Sequence, residues 1–346
     1  MARERAVAFA PGRVNLIGEH TDYNGGLALP FAIAEGITVH AERTGQKLLH
    51  AHADDFGEED EFALDDRSPA EGWRAFLRGM VAELQTAGFP PVGARLQIAG
   101  DLPAGAGLSS SAALEVALCL ALLALHDDVE ERLQRVEIAR LCSRVENDWV
   151  GAQTGLLDQL ASLCGLLDTA LLIDFRTLQI DPVPLRLDGW RLVVLDSGER
   201  HAHAHSGYNE RRAECARACE LLGVESLRDA DAGEVERLPR PLRDRASHVV
   251  SENQRVRDAV AALRERDLPA LGALLSASHA SLRDRYEAST PTVEATVARL
   301  LGAGAAGARM IGGGFGGCVL GLLAPGVSPP TGAREVRPSI GAHLLD

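Results

Sequence analysis

The sequence predicts an α+β protein with two domains. Three observations carry that expectation. The chain has 346 residues, against roughly 150 for a typical domain. Apolar residues make up 46% of it, enough for substantial cores and too many for a disordered or fibrous chain. Helical and strand patterns are intermixed without the regular strand–helix alternation of a doubly wound sheet. The run Leu185 to Val193 is the expected start of the second domain, giving domains 1–185 and 186–346.

The elements follow in order. Val7 to Phe9 is a short apolar strand pattern, with Pro11 close behind. Residues 12–26 form a polar loop around a small apolar island, Val14, Leu16 and Ile17. Phe31 to His40 and Leu48 to Ala53 read as strands, and Asp54 to Ala70 as an acidic loop. Trp73 to Ala87 is helical, because Phe76, Leu77, Met80, Val81 and Leu84 recur on one side. Gly93 to Ile98 alternates like a strand. A glycine- and serine-rich loop then runs directly into an apolar helix, Ala112 to Leu125. Glu131 to Trp149 is a second helix, followed by a small-residue loop, Gly151 to Gly155. Strands are expected around Ala170 to Asp174 and Arg191 to Leu195, and helices over Asn209–Leu222, Ser251–Glu265, Leu271–Tyr286 and Thr292–Leu301. Gly302 to Gly317 is dense in glycine, which marks a backbone-driven loop. Cys318 to Leu323 is a strand, and Pro325 to Gly332 is rich in turn residues.

Composition excludes several functions. The net charge of −14 disfavours a broad basic footprint for nucleic acid or an anionic membrane. Lys47 is the only lysine, and it sits in a polar turn. A lysine-based nucleotide loop or a Schiff-base mechanism is therefore close to excluded. The six cysteines do not make a disulfide scaffold. The first ten residues lack the apolar run of a signal peptide, and the longest such run, Val116 to Leu125, is too short to cross about 30 Å of hydrocarbon. The expectation is a soluble, cytoplasmic, monomeric protein.

Three segments could carry chemistry. The first is the loop Gly100 to Ala113. Successive main-chain N–H groups entering a helix make an anion site without lysine, and Ser109, Ser110 and Ser111 add hydroxyls. The alternative is a turn with a serine cap. The second is the pair Glu146 and Asp158. A carboxylate in a stretch as apolar as Leu156 to Leu163 needs a partner or a task, and Arg13 is a candidate partner because it is always charged and presents a rigid donor fork. A cap or core ion pair is the alternative. The third is Glu19-His20-Thr21-Asp22, four consecutive polar side chains suited to a polyhydroxylated ligand; a polar turn is the alternative, and metal binding is disfavoured because adjacent residues seldom converge on one ion. His201, His203 and His205 alternate, but no cysteine nearby completes a metal pattern. Cys215 and Cys219 lie one helical turn apart and are expected to pack.

Together these segments resemble the galactokinase branch of the GHMP family of small-molecule kinases. Residues 12–26, GRVNLIGEHTDYNGG, look like the branch's N-terminal signature. Leu102 to Ala113 looks like the family's ATP-binding motif, and Gly307 to Cys318 like its C-terminal glycine-rich motif. The stretch Gly207 to Arg212 adds a further likeness. The resemblance implies a two-domain GHMP kinase fold, with an N-terminal half like ribosomal protein S5 domain 2 and a ferredoxin-like C-terminal half.

The resemblance also implies roles. Asp158 would be the catalytic base on the sugar's anomeric hydroxyl, and Arg13 would hold it ionised and steady charge in transfer. Gly105, Ala106, Gly107, Leu108, Ser109, Ser110 and Ser111 would wrap the ATP phosphates, while Ser111 and Glu146 would hold Mg²⁺. Glu19, His20, Thr21, Asp22, Gly155, Asp158 and Tyr208 would line the sugar pocket. The implied reaction is ATP-dependent phosphorylation of α-D-galactose at the C1 hydroxyl, giving galactose 1-phosphate and ADP. Alternatives are a kinase of a related sugar, N-acetylgalactosamine or arabinose, and a regulator that binds galactose and ATP without turnover. Such regulators have a damaged serine loop, whereas Ser109 to Ala113 is intact here. Two departures stand out: position 311 is Ile where the branch commonly has Thr, and Thr331 to Asp346 matches poorly.

Overall fold

The computed structural model describes residues 3–102, 107–126, 133–199 and 204–345. The fold is mixed α+β, with strands in three sheets. The first sheet holds β1 (Arg5–Asn15), β3 (Pro30–Arg43), β4 (Leu48–Ala53), β5 (Glu58–Ala63), β6 (Ala94–Gly100) and β13 (His343–Leu345), in the order β13-β1-β3-β6-β4-β5. Its pairs are antiparallel except β4 with β6. A small sheet joins β2 (Leu27–Ala28), β7 (Thr169–Asp174) and β8 (Gln179–Pro184). A four-stranded antiparallel sheet takes β9 (Arg191–Asp196), β10 (Ala305–Met310), β11 (Cys318–Leu323) and β12 (Arg334–Val336), in the order β10-β11-β9-β12.

In the N-terminal half, α1 (Trp73–Thr86), α2 (Ser110–Ala124), α3 (Arg135–Arg144) and α4 (Leu157–Cys164) pack together, and α2 and α4 lie against β1 and β3. Helix α2 is buried on nearly all sides, as an all-round apolar sequence requires. The C-terminal half carries α5 (Ala204–Leu222), the single turn α6 (Ala232–Val235), α7 (Leu242–Glu265), α8 (Leu268–Asp284) and α9 (Pro291–Gly302). One apolar cluster bridges the halves: Val14, Leu16, Ile17, Leu29 and Phe31 meet Val256, Leu271, Leu275, Ile311 and Leu320. The polar 12–26 segment is thus anchored by its apolar island at the junction.

Several expectations are corrected. The strand expected at Val7–Phe9 runs on through Pro11 to Asn15. Its register shifts between Pro11 and Arg13, and such an irregularity accommodates a residue with no N–H to donate. The acidic stretch 54–70 contains β5, an edge strand that turns Asp60 and Phe62 inward and leaves Glu59 and Glu61 in water; Arg78 pairs with Asp60 at 2.7 Å. The glycine-dense 302–317 segment is part strand, because β10 occupies Ala305–Met310. The helix expected to end at Trp149 is α3 followed by a wide turn over Val145–Val150. Gly79 lets that turn approach α1, since a Cβ there would lie 2.7 Å from the Trp149 ring. The poorly matching tail is shared between the halves: β12 pairs with β9, and β13 then crosses to pair with β1.

Candidate active site

The site is built where three loops meet between the halves. Each loop holds one non-glycine residue in the left-handed region, at φ +61°: His20, Ser109 and Phe315. Such residues carry local strain that the surrounding structure must hold, and they cluster at functional sites.

Arg13 and Asp158 converge from β1 and the first turn of α4. The guanidinium gives Nε and Nη2 to Asp158 Oδ1, at 2.9 and 2.8 Å, and Nη1 to the Gly107 carbonyl at 2.6 Å. Ser109 donates its hydroxyl to Asp158 Oδ2 at 2.5 Å. Arg13 is 5% exposed and Asp158 29%, so the carboxylate opens onto solvent while its cation does not. Close backbone contact fixes this: the Arg13 N–H bonds the Leu108 carbonyl at 3.1 Å, and a side chain on Gly12 would strike that same oxygen. Asp158 in the first turn of a helix also faces the positive end of the helix dipole.

A second buried cluster lies beside it. Ser111 gives its hydroxyl to Glu146 Oε1 at 3.1 Å. Glu146 Oε2 accepts from Thr154 at 2.6 Å and from the Gln159 amide at 3.0 Å. The second Gln159 hydrogen goes to Glu115, at 3.1 Å. Burial pushes the Glu146 carboxyl up, against the lowering pull of the Thr154 bond, and pushes fully buried Glu115 up well beyond the carboxylate range. Among the described residues no group of three His, Cys, Asp or Glu could hold a metal ion. The donor set at Ser111 and Glu146 still fits Mg²⁺, which needs only one or two protein oxygens beside phosphate and water, and a buried carboxylate gains from a neighbouring cation.

The 18–26 loop faces both clusters. Glu19 is 3% exposed; it accepts from two protein donors, the Gly312 N–H at 2.8 Å and Asn15 at 2.7 Å, and pairs by charge with fully buried Arg309 at 3.3 Å. Burial raises its carboxyl; Arg309 and Arg13 oppose that. Thr21 turns its hydroxyl to the Gly18 and Leu27 carbonyls. His20 has both ring nitrogens engaged, Nδ1 with Tyr23 at 2.8 Å and Nε2 with the Gly313 carbonyl at 3.2 Å. Asp22 is half-buried and faces Gly155, where a Cβ would sit 2.1 Å from Asp22 Oδ2. Burial pushes the Asp22 carboxyl up to about 7. Asp22, Tyr23, Thr154, Gly155 and Arg212 also line a cavity of about 370 Å³. Tyr208 on α5 stacks at 5.3 Å from the His20 ring.

The structure therefore brings Arg13, Asp158, Ser109, Ser111, Glu146, Asp22, Gly155 and Tyr208 to one region. Leu108 enters by its carbonyl, its side chain being core, and Ser110 begins α2. Gly105 and Ala106 lie outside the described residues, as do His201 and His203, while His205 falls in α5. Cys215 is buried on α5, where packing is expected. Sequence reasoning missed Gln159, Thr154, Glu115 and Arg309. Glu115 carried a signal: an acid inside the apolar α2 pattern, one turn after Ser111.

A mixed fold with a serine loop opening a helix, a carboxylate–guanidinium pair and a glycine loop from the far half defines a small-molecule kinase of the GHMP class. Family models agree: residues 75–166 match the GHMP kinases N terminal domain, 259–342 the GHMP kinases C terminal domain, and 1–43 the galactokinase galactose-binding signature. The chain is 41% identical over 346 residues to a galactokinase of Streptomyces coelicolor, covering 96% of this chain and 89% of that protein. It is 44% identical over 341 residues to a galactokinase of Mycobacterium tuberculosis, covering 96% and 91%. The solved structure of Lactococcus lactis galactokinase complexed with galactose superposes with a TM-score of 0.91 at 33% identity, over 99% of this chain and 96% of that one. The chain belongs to the galactokinase family. A mevalonate kinase of Methanococcus jannaschii, at TM-score 0.70 and 17% identity over 96% of this chain and 98% of that one, shares the fold.

Proposed function

We infer that this chain phosphorylates α-D-galactose at the C1 hydroxyl, using ATP and giving α-D-galactose 1-phosphate and ADP. The observation that carries the reading is the meeting of Asp158, Arg13 and Ser109 at the mouth of the serine loop. A carboxylate offers about four lone-pair sites. Arg13 fills two on Oδ1 and Ser109 one on Oδ2. The remaining site, on Oδ2, is where the sugar hydroxyl would give its hydrogen bond and then its proton. Arg13 would stay charged throughout and offset the negative charge that gathers as the phosphoryl group moves. Phosphoryl transfer asks mainly for such positioning and charge neutralisation.

Ser111 and Glu146 would hold Mg²⁺, which when bound neutralises phosphate charge. Thr154 and Gln159 would fix the Glu146 carboxylate in the orientation that task needs. The N–H groups leading into α2, from Gly107 on, would receive the phosphates at the helix N-terminus. Asp22, Tyr208 and the backbone at Gly155 would meet the sugar, with Glu19, His20 and Thr21 shaping the wall behind them. We place the reaction in the cytoplasm, where ATP is at hand and where buried cysteines such as Cys119, Cys142 and Cys215 keep their thiols. No helix of the described residues is long and apolar enough to cross a membrane.

The test is ADP release, coupled to NADH oxidation, with galactose, glucose, N-acetylgalactosamine and arabinose as acceptors. Galactose should give the highest kcat/KM. No ADP above background with any sugar would end the kinase reading; a higher kcat/KM for another sugar would move the substrate.

A further inference from the structure

The chain has only three tyrosines, and all three surround one histidine. His20 lies between Tyr286 and Tyr208, with ring centroids at 4.5 and 5.3 Å, and Tyr23 meets it edge-on at 5.9 Å. His248 stacks on the far side of Tyr286 at 4.5 Å. These residues come from the 18–26 loop, α5, α7 and the end of α8. A chain of polar contacts runs through them. His20 Nδ1 meets the Tyr23 hydroxyl at 2.8 Å, which meets the Tyr286 hydroxyl at 2.8 Å, which meets Cys215 Sγ at 3.0 Å. Tyr286 is fully buried and Cys215 is 1% exposed.

The direction of every bond in this chain is forced from one end. The Gly313 carbonyl can only accept, so His20 Nε2 carries the hydrogen of their contact. A neutral imidazole has one N–H, so Nδ1 must accept, and Tyr23 donates to it. Having given its only hydrogen, the Tyr23 oxygen accepts from Tyr286. The Tyr286 oxygen in turn accepts from the Cys215 S–H. Asn24 braces the same loop, donating to the His20 carbonyl at 2.8 Å. Burial holds both ends in the required state: it pushes the His20 ring down to about 3, hence neutral, and the Cys215 thiol up to about 11, hence protonated.

We propose that Cys215, Tyr286 and Tyr23 form a one-way hydrogen-bond relay that ends on Nδ1 of His20 and holds its ring in place against the Gly313 carbonyl, making Tyr286 and Cys215 positioning residues of the sugar pocket. The reverse tautomer would set Nδ1–H against Tyr23 and leave the Gly313 carbonyl facing a lone pair. Gly313 is the point that matters, since a Cβ there would lie 2.8 Å from the Tyr208 ring. The relay thus ties the 18–26 loop to the glycine loop of the other half and sets where Tyr208 stands. Among the described residues, none of its bonds reaches Arg13, Asp158, Ser109, Ser111 or Glu146, so it should govern sugar affinity and leave ATP use alone. The proposal rests on the sugar-kinase reading above.

The test uses the full chain with Tyr286→Phe, Cys215→Ala and Cys215→Ser. Tyr286→Phe should raise the galactose KM about 5- to 10-fold, the effect of one buried hydrogen bond, with kcat and the KM for ATP within about twofold of the parent. Cys215→Ala should raise the galactose KM in the same sense, and Cys215→Ser, which restores a donor, should return it. Histidine ¹⁵N spectra of the free protein should show His20 with a protonated Nε2 and bare Nδ1, and the Nδ1 signal should shift in Tyr286→Phe, where the Tyr23 hydroxyl loses its own donor. A protonated Nδ1 in the parent, or an unchanged galactose KM in both Tyr286→Phe and Cys215→Ala, would overturn the relay. Should Tyr286→Phe fail to fold, the two Cys215 variants decide. The spectra need no substrate, so they settle the relay even if galactose proves not to be phosphorylated.

Discussion

Asp158→Asn is the most informative single change. Asparagine is nearly isosteric, and the local bonds can survive it. Its carbonyl oxygen can keep the Arg13 contacts now at 2.9 and 2.8 Å. Its amide can donate to Ser109, whose hydroxyl accepts as readily as it donates. What disappears is the negative charge and the one lone pair left for the sugar hydroxyl. General-base contributions run at about 10²–10⁴, or roughly 2.7–5.4 kcal/mol at about 1.36 kcal/mol per decade. Arg13, 5% exposed, loses its counter-charge. Because Asp158 is 29% exposed, solvent screening keeps that cost below the roughly 3–5 kcal/mol of a fully buried broken pair. The expected result is a kcat down about 10²–10⁴-fold at saturating galactose and ATP, with ATP still bound by calorimetry and a thermal midpoint lower by a few degrees. Ser109→Ala removes one bond and no charge, so it should cost about tenfold or less. An Asp158→Asn rate within tenfold of the parent, or a larger loss in Ser109→Ala, would show that Asp158 is not the proton acceptor.

Three further outcomes follow from the geometry. Glu146→Gln keeps the bonds to Ser111 and Thr154 in shape but loses the charge, so the Mg²⁺ concentration for half-maximal rate should rise at least about tenfold; an unmoved Mg²⁺ titration would take Glu146 out of the ligand set. Gly155→Ala puts a Cβ 2.1 Å from Asp22 Oδ2, so Asp22 must move and the galactose KM should rise about tenfold or more, whereas a KM within twofold would mean that Asp22 does not meet the sugar. Burial raises Asp22 to about 7, so the folded chain keeps a proton that the unfolded chain releases near pH 4. That penalty grows as pH rises from about 4 to about 7 and is complete above it. Asp22→Asn should therefore gain denaturant stability at pH 8 relative to pH 5 when compared with the parent; an equal difference at both pH values would contradict the raised carboxyl.

Legibility in the sequence followed the kind of interaction involved. Helices with strong periodicity, such as α1, were plain because their apolar spacing is local. Strand β5 was hidden because, as an edge strand, it buries little beyond Asp60 and Phe62 and otherwise reads as an acidic loop. Strand β10 was hidden by its neighbours: glycine at 302, 304 and 307 signals turn, yet Gly307 is where β10 presses on Gly272 of α8, with 1.9 Å from an imagined Cβ to the Gly272 carbonyl oxygen. The pairing of Arg13 with Asp158 could be suspected because an always-charged donor and an acid in an apolar stretch need one another. The Ser109–Asp158 bond could not, since serine in such a loop suits phosphate or cap equally. Arg309 gave no signal at all, because a cation is read as surface unless its buried partners are known.

Those partners explain why the recognition loop needs both halves of the chain. Helix α7 reads its backbone from outside: Glu252 accepts from the Gly18 N–H at 3.0 Å, Asn253 from the Leu27 N–H at 2.7 Å, and His248 Nε2 meets the Glu19 carbonyl at 3.2 Å. Arg309 donates to the Asn15 and Leu16 carbonyls, at 2.9 and 3.1 Å, from the opposite side. A loop bent through residues 15–27 leaves main-chain groups that no strand or helix of its own can pair, and each would cost about 1–3 kcal/mol if buried unpaired. The charges balance as well. Glu19 and Glu252 face Arg309 and Arg255, and burial, which by itself would raise Glu252, is outweighed by Arg255 and the other cations, leaving it at about 2. The 12–26 signature is therefore only half of a structure. Its other half is written some 230 to 290 residues later, in α7 and β10, which is why four polar residues at 19–22 read alone were as compatible with a turn as with a sugar.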